Sequence, residues 1–217
     1  HATYSAIPNF PGISGDSFSF DGNEVVDYRP FKALVPSEGF SAGLFAYVSD
    51  NQPRGLSVLF HNGSYSNLIG WVIEVTENGS AGFNVGDNSS SNGVGSSASI
   101  PLNEFVHIFG TYEPSTSTTK IYIDGDLESE DNVNQVPSTR DELTIGCRAS
   151  FRTRYFRGKA SDARIHNRVL SADEVKQLSN IRSDRSYGSP YVPRKPVAAS
   201  NLVAWYPFEG EASDATA

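Results

Sequence analysis

The strongest constraint on the fold is a rhythm: short runs of β-formers, each closed by a turn cluster, recur along most of the chain. Ser17-Phe18-Ser19-Phe20 alternates polar and apolar residues and meets Asp21-Gly22, a strong turn signal. Phe40 to Val48 has the length of a core strand, and Gly55 to His61 follows, closed by Asn62-Gly63. Ile69 to Val75 comes next, closed by Asn78-Gly79. Alternation puts Trp71, Ile73 and Val75 on one face of that strand and Val72 and Glu74 on the other, with Glu74 read as solvated. Further strands are expected over Phe105–Tyr112, Lys120–Ile123, Leu143–Cys147 and within Tyr155–Ile165, and Asp124-Gly125 turns the chain into Leu127. Asp87 to Ser97 is polar, Gly/Ser-rich and without period, and reads as a long surface loop. One helix is expected from Ser171, whose hydroxyl and Glu174 three residues on form a capping box ahead of Val175 and Leu178. Many short strands at this spacing predict an all-β, two-sheet antiparallel sandwich of the jelly-roll type with one short helix near 171–179.

Composition narrows the function. With 25 acidic against 17 basic residues the chain carries a net charge of −8, which argues against nucleic acid and anionic membranes as partners. No apolar run reaches the ~20 residues that span a bilayer, so no membrane insertion is expected. Cys147 has no second cysteine in the chain to pair with and reads as a small buried hydrophobe. A first residue of His1 rather than Met suggests a processed or excised piece.

After about Ile181 the character changes. Residues 182–200 hold three prolines without apolar period and read as an extended linker. Residues 201–217 open with a strongly β-forming aromatic run, Leu202, Val203, Ala204, Trp205, Tyr206 and Phe208. A lone strand of this kind is unstable in water and must pair with a sheet. The expected organisation is therefore a jelly-roll body over 1–181, a linker over 182–200 and a completing strand in 201–217.

Several of these runs resemble the laminin-G-like, concanavalin A-like domain family. Phe105-Val106-His107-Ile108-Phe109-Gly110-Thr111-Tyr112 followed by Ile121-Tyr122-Ile123-Asp124-Gly125 is similar to the family's central "W-x-H-v-a-G-T-Y … l-Y-v-D-G". Phe156-Arg157-Gly158 through Ser161-Asp162-Ala163-Arg164-Ile165-His166-Asn167-Arg168-Val169-Leu170-Ser171 resembles its closing motif, and Phe18 to Gly22 its opening one. Phe105 stands where the family usually has Trp, and Ser161 where it has the first of two Asp. The resemblance implies an extracellular or cell-surface recognition, adhesion or scaffold module, often in tandem, with calcium at the rim in some members and glycans as ligands in others.

Family domains usually begin with a strand like "L-V-A-W-Y-P-F-E-G", which here stands at the back, in Leu202 to Gly210. Such a strand can fold back into its own sandwich, or enter a neighbouring copy by edge addition, or mark an arbitrary boundary between tandem repeats. Donation between copies does not close and would build a head-to-tail filament. Two functions follow as expectations: a structural or adhesive repeat whose partners are copies of itself, or a calcium-dependent module for cell-surface or matrix glycans. Candidate calcium ligands are Asp50, Asp87, Asp126 and Asp131, in expected rim loops. Asn62, Asn78 and Asn88 head N-x-S/T sequons in expected turns. Tyr65, Trp71, Tyr155 and Tyr191 are candidate sugar-stacking aromatics. No enzyme is expected: the carboxylate pattern of β-glucanases is incomplete at Glu74-Val75-Thr76-Glu77, Tyr155-Phe156-Arg157 only faintly echoes one lyase motif, and the four histidines lack zinc spacing.

Overall fold

The computed structural model describes residues 17–28, 38–64, 69–87, 89–138, 142–149, 152–180 and 202–206, the last as backbone. The linker 182–200, Phe208, Asn88, Tyr65 and Tyr191 lie outside the described residues.

Two antiparallel sheets face each other. One is seven-stranded: β1 (Phe18–Asp21), β12 (Arg157–His166), β3 (Phe40–Val48), β8 (Phe105–Glu113), β9 (Thr118–Ile123) and β10 (Asp126–Asn132) lie in that order, and β13 (Leu202–Tyr206) also pairs with β12. The other is six-stranded, in the order β2 (Val26–Tyr28), β11 (Leu143–Ile145), β4 (Leu56–Ser64), β5 (Ile69–Thr76), β6 (Ala81–Asp87) and β7 (Ser91–Gly95). The helix α1 spans Ala172–Ser179.

Alternation builds the core. Phe40, Ala42, Leu44, Ala46 and Val48 of β3 point inward and meet Trp71, Ile73 and Val75 of β5 and Phe83 and Val85 of β6. The ring of Trp71 packs edge-on to Phe60, 5.0 Å between centroids, and lies 5.8 Å from Phe40. Removing each such side chain from water stabilises the fold by roughly 1.5–3 kcal/mol. Cys147 is fully buried, as a small hydrophobe would be.

Two expectations about chain direction need correction. Asn62-Gly63 is not a turn: β4 runs through it to Ser64. Gly63 faces Gly70 across the ladder, and a side chain at Gly70 would place its Cβ 1.9 Å from the Asn62 carbonyl oxygen, so this glycine lets the strands pair past the expected stop. Nor is 87–97 one long loop. Ser91–Gly95 forms β7 on the edge of β6, anchored by the inward Val94 opposite Phe83. Backbone pairing and this one inward side chain hold the strand, too little pattern for periodicity to detect.

Leu202–Tyr206 lies on the chain's own sheet. β1 pairs with Arg157–Ala160 of β12, and β13 takes up the same edge farther along, opposite Ala163–His166. Between the two the register of β12 against β3 shifts, and Asp162 adopts a left-handed backbone with φ of 51°. The buried Asp162 carboxylate holds Arg164 through two bonds of 2.8 and 3.1 Å at this bulge. Side-chain hydrogen bonding of this kind offsets the cost of a strained residue.

The helix closes the outer face of the seven-stranded sheet. Ser171 and Glu174 form the expected capping box, and Arg168 grips the Glu174 carboxylate through bonds of 2.8 and 2.6 Å, holding its pKa down at about 2. Val175, Leu178 and Leu170 cover Phe109 and Tyr122, which point away from the main core. Lys176 reaches Asp126 at 2.7 Å and the Asp124 carbonyl at 3.2 Å.

Candidate functional site

The outer face of the six-stranded sheet is polar where, on its counterpart, α1 covers Phe109 and Tyr122. Cross-strand register aligns Thr144 of β11, His61 of β4, Val72 of β5, Asn84 of β6 and Gly93 of β7 in one row. Val58, Glu74, Gly82 and Gly95 form the next. Glu74 is the centre of this surface. Asn84 Nδ2 donates to its Oε1 at 3.0 Å, and Arg154, from the segment that precedes β12, places Nη1 3.5 Å from its Oε2. Burial pushes the Glu74 pKa up, and the charges of Arg154 and Arg148 oppose that rise. The expectation of a solvated Glu74 is therefore corrected: the residue is 9% exposed and its carboxylate oxygens are engaged. Period-2 alternation assigns its face correctly but cannot see the segment around Arg148 and Arg154 that lies beside it.

His61 completes one end. Its Nδ1 accepts the Ala149 backbone N–H at 3.2 Å, and burial, with Arg148 nearby, lowers its pKa to about 3, so the ring is neutral. At the other end the surface loses its side chains. A Cβ on Gly93 would meet the Phe83 carbonyl oxygen at 2.1 Å and Asn84 Oδ1 at 2.6 Å, so only glycine lets β7 lie this close to β6. Gly82 and Gly93 are half-exposed and Gly95 exposed, leaving a strip of accessible backbone beside Asn84 and Glu74. The result is a shelf with a glycine floor and a ledge of carboxylate, amide and guanidinium groups. Of these groups Asn84 and Arg154 are half-exposed, and an amide and a guanidinium between them can donate and accept hydrogen bonds. Glu74 is surrounded by amide and guanidinium groups, whereas glycoside hydrolysis needs a second carboxylate about 5–10 Å away.

The acids proposed for calcium are dispersed. Asp50 is exposed after β3, Asp126 pairs with Lys176, and Asp131 caps the Asn132 backbone N–H at 2.7 Å. Asp87 accepts from Ser89 N, Ser89 Oγ and Ser90 N, and these bonds lower its pKa to about 2. Among the described residues no group of three or more His, Cys, Asp or Glu side chains is gathered to hold a metal ion.

The sequons divide. Asn78 is exposed in the turn after β5. Asn62 is fully buried in β4, where its amide donates to the Glu142 carbonyl at 2.9 Å, so it does not sit in an accessible turn as expected. Trp71 belongs to the core and offers no stacking face, while Tyr155 is half-exposed. His107 is buried between Phe45 and Phe109, consistent with a structural role. The shelf's own residues escape the sequence reading because Glu74, Asn84 and Arg154 are far apart in the chain; the Gly-rich 82–95 stretch was the one available signal.

Among the described residues no helix is long and apolar enough to cross a membrane. Comparison with proteins of curated function gives no match. Solved structures share the fold at low identity. The SAP-like pentraxin of Limulus polyphemus aligns over 77% of this chain and 83% of its own, with 14% identity and a TM-score of 0.63. The CBM40 of the Ruminococcus gnavus IT-sialidase, solved with α2,3-sialyllactose, aligns over 75% and 96% with 14% identity and a TM-score of 0.62. A Bacteroides ovatus protein described as carbohydrate-binding aligns over 92% and 55% with 15% identity and a TM-score of 0.64. At such identities the likeness establishes the fold and not the ligand. A family model matches residues 20–176 directly, covering all of the described body except its outermost ends, and on that match the chain belongs to the concanavalin A-like lectin/glucanase superfamily.

Proposed function

We propose that this chain is a non-catalytic glycan-recognition module, extracellular or at a cell surface, that binds sugar on the shelf of its six-stranded sheet. The observation that carries this reading is the Glu74–Asn84–Arg154 ledge beside backbone left bare by Gly82, Gly93 and Gly95. Sugar hydroxyls are both donors and acceptors, and a ledge of carboxylate, amide and guanidinium groups meets both needs. Carbohydrate ligands or functions named for the Ruminococcus and Bacteroides relatives favour the same class. The test is a glycan array read with wild type, with Asn84→Ala plus Arg154→Gln, and with Gly95→Tyr. A Cβ at Gly95 has its nearest neighbour, the Ala81 carbonyl oxygen, at 3.6 Å, so the ring roofs the shelf without disturbing the strand. Both variants should weaken binding at least about tenfold, the equivalent of one or two hydrogen bonds. Undiminished binding by both would refute the assignment. Repeating the array with chelator reads whether calcium at Asp50, Asp87, Asp126 or Asp131 takes part.

The last strand favours a second reading. We propose that the β12 edge at Ala163–His166, which here receives Leu202–Tyr206 of the same chain, also accepts that segment from another copy and so joins copies head to tail. The pairing uses backbone groups on a sheet edge, which any copy presents equally. The 19 residues 182–200 reach roughly 60 Å when extended, enough for either partner. Light scattering across a concentration series decides: a ladder of masses that disappears when the chain is cut after Ser200 supports exchange, and a monomer at every concentration rules it out.

A further inference from the structure

The outer face of the seven-stranded sheet is not wholly covered by α1. Beside the first turn of the helix a cleft of about 590 Å³ opens over β8, β9 and β10. That volume falls within the range of small-ligand sites. We propose that this cleft is a second binding site, and that its ligand is an uncharged saccharide unit.

The strand register dictates the floor. Thr111, Lys120 and Glu130 stand in one cross-strand row, and Glu113, Thr118 and Asn132 in the next. Directly opposed side chains stand about 5 Å apart at Cβ, so the two rows form a small grid of hydroxyl, amide, carboxylate and ammonium groups. The grid is oriented by its own bonds. Lys120 Nζ lies 2.8 Å from Glu130, Thr118 Oγ1 donates to Asn132 Oδ1 at 3.1 Å, and Glu113 Oε1 accepts from the Ser115 N–H and hydroxyl. In the adjoining row, opposite Phe109, Tyr122 shares a side-chain hydrogen bond with Thr111, and burial raises its pKa, so the phenol stays protonated. Pre-oriented polar groups lose little entropy when a ligand docks.

The wall is of different chemistry. Val169, Leu170 and Ala172 line the helix side. A pyranose ring has an equatorial fringe of hydroxyls and faces of C–H groups, and this cleft offers a polar floor for the first and an apolar wall for the second. Charge selects among sugars. Glu113, Glu130 and Asp131 line the cleft against one cation, Lys120, which is already engaged by Glu130. The excess of negative charge disfavours carboxylated or sulfated glycans at close range. The site lies on the opposite outer face from the Glu74 shelf, so the two are separable by mutation.

The test is an NMR titration of the isotope-labelled chain with neutral trisaccharides of glucose, galactose and mannose, and with trigalacturonate as the anionic comparison. At least one neutral sugar should shift the backbone amides of Thr111, Lys120 and Tyr122, and trigalacturonate should leave them unmoved. Two variants check the location: Ala172→Trp, which fills the mouth from an exposed position, and Lys120→Met with Asn132→Ala, which strips the grid. Each should weaken binding at least about tenfold, and Gly95→Tyr on the other sheet should leave it unchanged. The proposal is overturned if no neutral trisaccharide shifts those amides at millimolar concentration, if binding survives both cleft variants, or if trigalacturonate binds as well.

Discussion

On the seven-stranded sheet the outward-pointing Phe109 and Tyr122 are buried because Leu170, Val175 and Leu178 descend on them, and Ser41 ties this cover down by donating to Arg168 O and accepting from Leu170 N. On the six-stranded sheet the corresponding outward positions carry Val72, Asn84 and glycines that stay half-exposed, around a carboxylate held by an amide and a guanidinium. Both faces follow the same two-residue period, so the pleat does not distinguish them. What differs is the second layer. A sheet face roofed by a helix adds core; on the other face the residues at the β4 end are buried as well, and only the β5–β7 end stays open to bind. The cleft beside α1 lies where the roof ends, and it changes from apolar to polar within two cross-strand rows.

The sharpest way to break this comparison is to remove one outward side chain from each face. Phe109→Ala should destabilise the protein by about 3–5 kcal/mol, since it opens a void under α1, whereas Val72→Ala should cost about 1 kcal/mol or less. Urea unfolding of the two variants measures both; equal losses would mean that the two faces are packed alike.

A smaller effect comes from two of the buried histidines, His61 and His107, one on each face. Burial first, and then Arg148, lowers the pKa of His61 to about 3; burial and Arg164 do the same to His107. Their folded pKa lies below the unfolded value, so the unfolded chain binds the extra proton. The stability they contribute is complete above about pH 6.5 and is lost as pH falls towards 3, at about 1.4 kcal/mol per pH unit for each ring. By pH 5 each should have cost about 2 kcal/mol relative to neutral pH. Replacing His61 by Gln, which can still accept the Ala149 N–H, should flatten the acid slope of the unfolding midpoint by one histidine's share. An unchanged slope would show that His61 is not the group that titrates.

The smallest expected change sharpens the account of the roof. Ser171→Ala removes the hydroxyl that accepts the Glu174 N–H and should cost about 1 kcal/mol. If α1 is held mainly by Val175 and Leu178, the near-ultraviolet signal of Tyr122 should survive this substitution and be lost on Val175→Asp.

The fold was largely legible in the sequence. The inward residues of β3 and β5 alternate as they read, the capping box of α1 is local chemistry, and the Asp162–Arg164 pair sits within the closing motif that carries the family resemblance. The failures are also local in cause. Asn62-Gly63 carries a turn signal that the ladder overrides, and 91–95 carries a loop signal although Val94 anchors it as an edge strand. The candidate site was hardly legible. Glu74 looked like an ordinary outward carboxylate, and nothing in its neighbourhood along the chain names Arg154.

The amino-acid order by itself determined the strand period, the two-sheet class, the helix α1 and the need of the aromatic tail for a sheet to join. These depend on interactions within a few residues, where spacing along the chain and spacing in space are nearly the same. Tertiary structure alone decided which outward face is roofed, which residues surround Glu74, that the asparagine at 62 is buried, and that β13 lies along β12 beyond β1. Those outcomes depend on segments tens to a hundred residues apart arriving at one place, and the burial that results then raises the pKa of Glu74 and keeps His61 and His107 neutral.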